Sequence, residues 1–162
     1  LFNRFPDEEN PDDVTKRRTM VFSREESTEK SLYRLEDGTI CQPAEHIVGT
    51  MIKASTAFKL KGKQTFKDVV KAGVFVEPLK IPHLIQEFTS DWRPVVIQRA
   101  RVMKGRARMD EWELKFTLLC IDPRAREQDI KEILEYAGQY VGIGDYRPRY
   151  GRFEIVSFKV MN

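Results

Sequence analysis

The sequence predicts an α+β fold, two helices laid on an antiparallel sheet, and three observations predict it. Apolar residues recur at helical spacing in two separate segments: Ala44, Ile47, Val48, Met51 and Ile52, and later Ile130, Ile133, Leu134, Ala137 and Val141. Between them, Trp112, Leu114, Phe116, Leu118 and Cys120 alternate with Glu113, Lys115 and Thr117, the period-two pattern of a half-buried antiparallel strand. From residue 43 the elements run helix, strand, strand, strand, helix, strand. One more strand before the first of these helices completes the split βαβ plan, a ferredoxin-like (RRM-like) fold.

Each element has a local reason. Residues 1–22 carry Pro6, Pro11 and the acids Asp7, Glu8, Glu9, Asp12 and Asp13, and read as an irregular acidic arm. Residues 23–162 then form a single domain, in keeping with a chain of 162 residues. Ser23-Arg24-Glu25-Glu26 is a capping box that opens a short helix running to about Leu32. Asp37-Gly38 marks a tight turn between strands Tyr33–Leu35 and Thr39–Cys41. Pro43 suits the first turn of the next helix, and Gly49 inside that helix points to close packing on its face. A short helix over Thr65–Ala72 stops at Gly73, and Val74–Val76 is a brief strand closed by Pro78. Two longer strands, Val95–Met103 and Trp112–Ile121, flank a basic hairpin end at Lys104–Met109. The second long helix covers Asp129–Val141, and Phe153–Val160 is the last strand.

Composition narrows the function classes. Hydrophobic residues make up 41% and charged residues 33%, the balance of a globular chain with a charged surface. No apolar run approaches the roughly 18 residues of a membrane span. Leu1–Pro6 lacks the basic start and long apolar stretch of a signal peptide. The absence of an initiator Met leaves room for sequence ahead of Leu1. These readings predict a cytoplasmic protein. Cys41 and Cys120 both lie in apolar, strand-like surroundings and read as buried free thiols. With no CxxC and only His46 and His83, a zinc site is not expected, and no cofactor is implied.

The net charge of +3 decides little, but the charge is segregated. Lys53, Lys59, Lys61, Lys63, Lys67 and Lys71 face one acid, Asp68, in residues 53–71. Arg99, Arg101, Lys104, Arg106 and Arg108 face none in residues 99–108. Arg99 and Arg101 share strand parity, with Arg106 and Arg108 returning on the partner strand, so this ribbon can cross a nucleic acid backbone. The plain alternative is a solvated hairpin whose arginines pair with Glu111 and Glu113. Lys53, Lys59, Lys61 and Lys63 are weaker candidates of the same kind.

The third candidate is Gly142-Ile143-Gly144-Asp145-Tyr146-Arg147-Pro148-Arg149-Tyr150-Gly151-Arg152-Phe153. Gly142, Gly144 and Gly151 permit positive φ and close backbone approach. Exposed amides with Arg147, Arg149 and Arg152 can hold phosphate oxygens, and Tyr146 and Tyr150 can stack on bases. The alternative is a tight structural loop with solvated arginines. A dinucleotide or phosphate loop is excluded, because those need a strand before the glycines and a helix after them.

This arrangement, a helix, a Gly-x-Gly loop with basic residues, then Gly151-Arg152-Phe153-Glu154-Ile155-Val156, resembles the glycine-rich signature of the RAMP superfamily. Its members are the ferredoxin-like RNA-binding subunits of CRISPR effector complexes. Ile40-Cys41-Gln42-Pro43-Ala44-Glu45-His46-Ile47-Val48-Gly49 resembles that superfamily's strand-Pro-helix segment. The run from about Leu32 to Val160 is also similar to small proteins encoded by bacterial phages. The resemblance implies a non-catalytic backbone subunit, phage-encoded, that polymerises head to tail along a guide-like single-stranded RNA, with a complementary strand as a further partner. The chain departs from the superfamily in its shortness and in having no evident first strand before Asn3.

His46 falls roughly where some RAMP-type repeat endoribonucleases carry a catalytic histidine, so a metal-independent nuclease is the enzymatic alternative, with Tyr33 or a lysine as its partner. A helix-start hydrogen-bonding role is the structural one. His83, beside Pro82, belongs to no motif. A third reading is a phage structural or single-stranded nucleic-acid-binding protein whose basic loops meet the acidic arms of neighbouring copies. Sequence physics alone does not separate RNA from single-stranded DNA.

Overall fold

Ser23 opens the described part of the chain, residues 23–161 of a computed structural model; the acidic arm expected over residues 1–22 lies outside the described residues. The Ser23 hydroxyl accepts from the Glu26 amide at 3.1 Å, and the Glu26 carboxylate accepts from the Ser23 amide at 2.9 Å. This reciprocal capping box starts α1, Arg24–Glu29, which ends short of Leu32. β1 (Tyr33–Arg34) and β2 (Ile40–Pro43) form the expected hairpin. Gly38 takes φ +87°, and the Asp37 carboxylate accepts from the Thr39 amide at 2.9 Å.

α2 (Ala44–Ser55) follows Pro43 directly and is the central helix of the core. Ala44, Ile47, Met51 and Ala54 are buried, with Val48 and Ile52 packed at the margin. Gly49 departs from expectation. Nothing lies within 4 Å of the position its Cβ would take, so it sits on the open side of the helix. The lysine-rich stretch forms a small hairpin, β3 (Lys59–Lys61) with β4 (Gln64–Thr65). Then come α3 (Lys67–Gly73), β5 (Val74–Glu77) and β6 (Lys80–Pro82), the last pairing with β2 in a three-stranded antiparallel sheet ordered β1-β2-β6.

The largest departure follows. β7 (Thr89–Ile97) and β8 (Ala100–Arg108) pair antiparallel from Thr89↔Arg108 to Ile97↔Ala100. The turn is Gln98-Arg99, with φ of +47° and +69°, the positive-φ pair of a two-residue hairpin. The strand expected over Val95–Met103 is therefore a hairpin folded at its middle. The basic bend expected at Lys104–Met109 is the far end of one arm. Non-glycine residues seldom take positive φ, so Gln98-Arg99 carries no turn signal, and cross-strand pairing imposes the bend. Arg99 thus sits in the turn, Arg101 projects from one face, and Lys104, Arg106 and Arg108 project from the other.

Trp112, Leu114, Phe116 and Leu118 are half-buried against the core while Glu113, Lys115 and Thr117 are exposed, the expected alternation. The paired strand is shorter: β9, Thr117–Cys120, runs antiparallel to β5, and a single bridge joins His83 and Leu114. Both cysteines are free. Cys41 is buried, which raises its thiol pKa, but Cys120 is exposed, contrary to expectation. α4 (Glu127–Tyr136) passes into a π-helical turn, Ala137–Val141. Ile130, Ile133, Leu134, Ala137 and Val141 are all buried.

The strand expected over Phe153–Val160 has no ladder partner among the described residues. Phe153 and Ile155 still pack on the core, and the Phe153 amide donates to the Gly138 carbonyl at 3.2 Å. A Cβ at Gly138 would lie 2.2 Å from the Phe153 oxygen, so close backbone approach anchors this segment. The described chain is thus mixed α+β, with four α-helices and small antiparallel sheets.

Candidate nucleic-acid interface

The β7–β8 hairpin is clamped at its base. Along one side, the Ser27 and Ser31 hydroxyls accept from the amides of Gly105 and Ala107 at 2.9 and 2.8 Å. Arg24 donates to the Ser90 carbonyl at 2.7 Å, and the Thr28 and Ser90 hydroxyls lie 2.6 Å apart. An added Cβ at Gly105 would lie 2.7 Å from the Thr28 hydroxyl, so α1 rests directly on this glycine. Register then sends Arg93, Lys104, Arg106 and Arg108 to the opposite face.

The glycine-arginine loop meets that face. The Gly142 amide donates to the Ala137 carbonyl at 2.7 Å, and the buried Thr50 hydroxyl donates to the Gly142 carbonyl at 2.8 Å. The Ile143 amide donates to the Gly151 carbonyl, and the Tyr150 amide to the Tyr146 carbonyl, each at 2.9 Å. Gly142, Gly144 and Gly151 take φ of +70°, +87° and +75°. At Gly151 a Cβ would fall 1.7 Å from the Ile143 oxygen. Only glycine fits there.

Aromatic and charged groups join loop to hairpin. Arg106 Nε donates to an Asp145 carboxylate oxygen at 2.5 Å, and its guanidinium lies 5.2 Å from the Tyr146 ring centre. Arg93 lies 5.3 Å from the Tyr146 ring and 5.5 Å from the Tyr150 ring, cation–π distances. Its Nε also donates to the Asp91 carboxylate at 2.8 Å. Hydrogen bonding to Asp91, then to Tyr150, raises the Arg93 pKa, and Arg93 in turn lowers that of the Tyr150 phenol.

Between them, α2 and the β1–β2 hairpin runs an open cleft of about 1160 Å³. Of the residues expected to bind nucleic acid, Lys53, Lys104, Arg106, Arg108, Gly142, Gly144, Tyr146, Arg147, Gly151 and Arg152 line it. Arg99, Arg101, Arg149, Lys59, Lys61 and Lys63 do not. The first two sit at the hairpin tip, and the three lysines lie on and beside the small β3–β4 hairpin. Part of the cleft's charge is already compensated: Arg93 pairs with Asp91, Arg106 with Asp145, and Arg108 with Asp110 at 2.7 Å. Arg147 and Arg152 instead donate to the Gly144 and Pro148 carbonyls at 2.9 and 2.8 Å, which orients them without neutralising them. Lys53, Lys104, Arg147 and Arg152 make no ion pair among the described residues.

His46 lines the same cleft. Its Nδ1 is in short contact with the Gln42 amide nitrogen, and its ring meets Tyr33 edge-on at 5.4 Å. His83 is buried against Trp112, its Nδ1 has no partner among the described residues, and burial lowers its pKa.

Sequence reasoning missed Arg93, Asp91 and Asp145. The first two lie in the hairpin arm that was not recognised, and Asp145 gains meaning only from Arg106 across 39 residues. Among the described residues no group of three or more His, Cys, Asp or Glu is placed to hold a metal ion, and no helix is long and apolar enough to cross a membrane. The chain matches no protein-family model, no curated protein and no solved structure in the comparisons made.

Proposed function

We propose that this chain binds a single RNA strand through its phosphate-sugar backbone, and that copies assemble head to tail along a guide-like RNA as part of a phage-encoded RNA-guided complex. One observation carries the binding reading: two basic segments far apart in sequence, the β8 arm and the glycine loop, line one open cleft together with two tyrosines. Uncompensated cations and stacking rings are the groups a strand needs when its sequence is not read. RNA rather than DNA follows from the RAMP resemblance. So does the finer fold, in which α2, the antiparallel pair β5–β9 and α4 would be the middle of a ferredoxin-like βαββαβ order, with β3, β4 and α3 inserted before β5, and β6, β7 and β8 inserted between β5 and β9.

Backbone recognition predicts affinity that hardly varies with base sequence and falls steeply with salt, by a log-log slope of about −0.7 per neutralised phosphate. Fluorescence anisotropy with labelled oligonucleotides of several sequences measures both. Lys104→Glu with Arg152→Glu, inside the cleft, is expected to weaken all sequences alike by about tenfold or more. Binding to one motif that ignores salt would overturn the proposal.

A second reading, a metal-independent endoribonuclease, draws on His46 and Tyr33 sharing the cleft. The Gln42 contact at Nδ1 favours the helix-start hydrogen-bonding role of His46 instead. The expected outcome is no RNA cleavage by the parent protein in chelator. Cleavage that His46→Ala slows about a hundredfold would reverse the order of the two readings.

A further inference from the structure

Among the described residues two buried side-chain nitrogens lack a hydrogen-bond partner, Arg106 Nη1 and His83 Nδ1, and both residues line the cleft. Arg106 is the more informative. Its Nε is taken by Asp145, its ring-facing side is covered by Tyr146, and its Nη1 is shut in without an acceptor. Asp91, opposite Arg106 across the ladder, is engaged by Arg93 and does not serve it. The two partners of the ion pair differ in kind. The Arg106 side chain is 20% exposed on a paired strand, whereas that of Asp145 is 63% exposed on the loop. Asp145 follows Gly144, which takes φ +87° with nothing within 4 Å of its missing Cβ. A carboxylate so exposed holds its partner weakly.

We propose that Arg106 is a phosphate subsite and that the Asp145 carboxylate is its resident stand-in, displaced when a phosphodiester oxygen of the bound strand takes its place. This rests on the strand-binding reading and adds to it a built-in competitor. A phosphodiester presents two non-bridging oxygens in the geometry a guanidinium matches. In the place of Asp145, which holds Nε alone, it takes Nε and Nη2, the side-on fork of the guanidinium, once Tyr146 moves off the Arg106 face. Strand entry then exchanges one anion for another at Arg106 and releases Asp145 from the hairpin, while Arg93 still holds Tyr150.

The test is a double-mutant cycle on affinity for a short oligouridylate RNA at fixed salt. Asp145→Asn keeps the size of the side chain and removes the competitor, and is expected to tighten binding about fivefold. Arg106→Lys keeps the charge and loses the fork; in that background Asp145→Asn is expected to change affinity by less than about twofold. Unchanged or weaker binding by Asp145→Asn, or equal tightening in both backgrounds, would overturn the proposal. Arginine Nε–H NMR with inorganic tripolyphosphate separates it from the broader reading. If RNA fails to bind but the Arg106 signal shifts, at lower tripolyphosphate in Asp145→Asn, strand binding falls and the subsite stands. If RNA binds and the Arg106 signal never responds, the subsite falls and strand binding stands.

Discussion

At the scale of single residues, glycines that look alike in sequence have different physical reasons to be there. Gly151 is fixed by both backbone and space, with φ +75° and a carbonyl oxygen 1.7 Å from its missing Cβ. Gly151→Ala is expected to destabilise by about 3 kcal/mol or more, because strain and overlap add. Gly144 has the φ but not the crowding, so Gly144→Ala is expected to cost about 1 kcal/mol from strain alone. Gly49 has neither. It lies inside α2 with open space at its Cβ position, and Gly49→Ala is expected to stabilise by about 0.5–1 kcal/mol, a rise in midpoint of a few degrees, roughly 2–4 °C per kcal/mol. Thermal unfolding of the three variants checks the order. A destabilised Gly49→Ala would mean that the exposed helix face is not open. The loop's three glycines were legible as a run able to take positive φ. That Gly151 alone is sterically forced was not, because the clashing oxygen of Ile143 arrives by loop closure.

At the scale of elements, legibility follows how local the cause is. The capping box at Ser23, the turn at Asp37-Gly38 and the apolar stripe of α2 depend on neighbours a few residues away, and each was readable. The β7–β8 hairpin depends on nine cross-strand pairs and bends at two residues without a turn signature. Pro94 inside β7 further hid the arm, since proline suits only an edge or an unpaired position. The unrecognised turn left Arg93 out of the candidates and places Arg99 and Arg101 at the hairpin tip, away from the cleft. The turn is where the hairpin is least adapted. Replacing Gln98 with Asn and Arg99 with Gly supplies the residues that accept positive φ at both positions, and is expected to stabilise by about 1 kcal/mol. Since neither side chain lines the cleft, RNA affinity is expected to change less than about threefold. Chemical denaturation and anisotropy on the double variant measure both. A large loss of affinity with intact folding would return the tip to the binding site.

At the scale of the whole molecule, the coarse class, helices and antiparallel strands around one core, was legible because binary patterning sets it. The meeting of the β8 arm with the glycine loop was not, because no local pattern encodes a contact between Arg106 and Asp145. That meeting bears on assembly. If the proposed cleft holds a strand, one copy is expected to cover a handful of nucleotides, by analogy with the ~4–16 of other small folds. A longer strand is then expected to recruit further copies through one heterologous interface, which propagates unless its rotation closes. The hairpin tip is the part of the arm left free for such a contact: Val96 is 74% exposed, Ile97 and Met103 are exposed, and Arg99 and Arg101 lie beside them. Particle mass measured by light scattering is therefore expected to rise in regular steps with RNA length. Reversing Arg99 and Arg101 to Glu is expected to reduce the number of copies on a long RNA, while binding to an RNA only one cleft long falls less than about threefold. A fixed one-to-one complex on RNAs of every length would remove the filament and leave a single-strand-binding domain. Equal loss on short and long RNA would instead move the tip from the interface between copies to the strand itself.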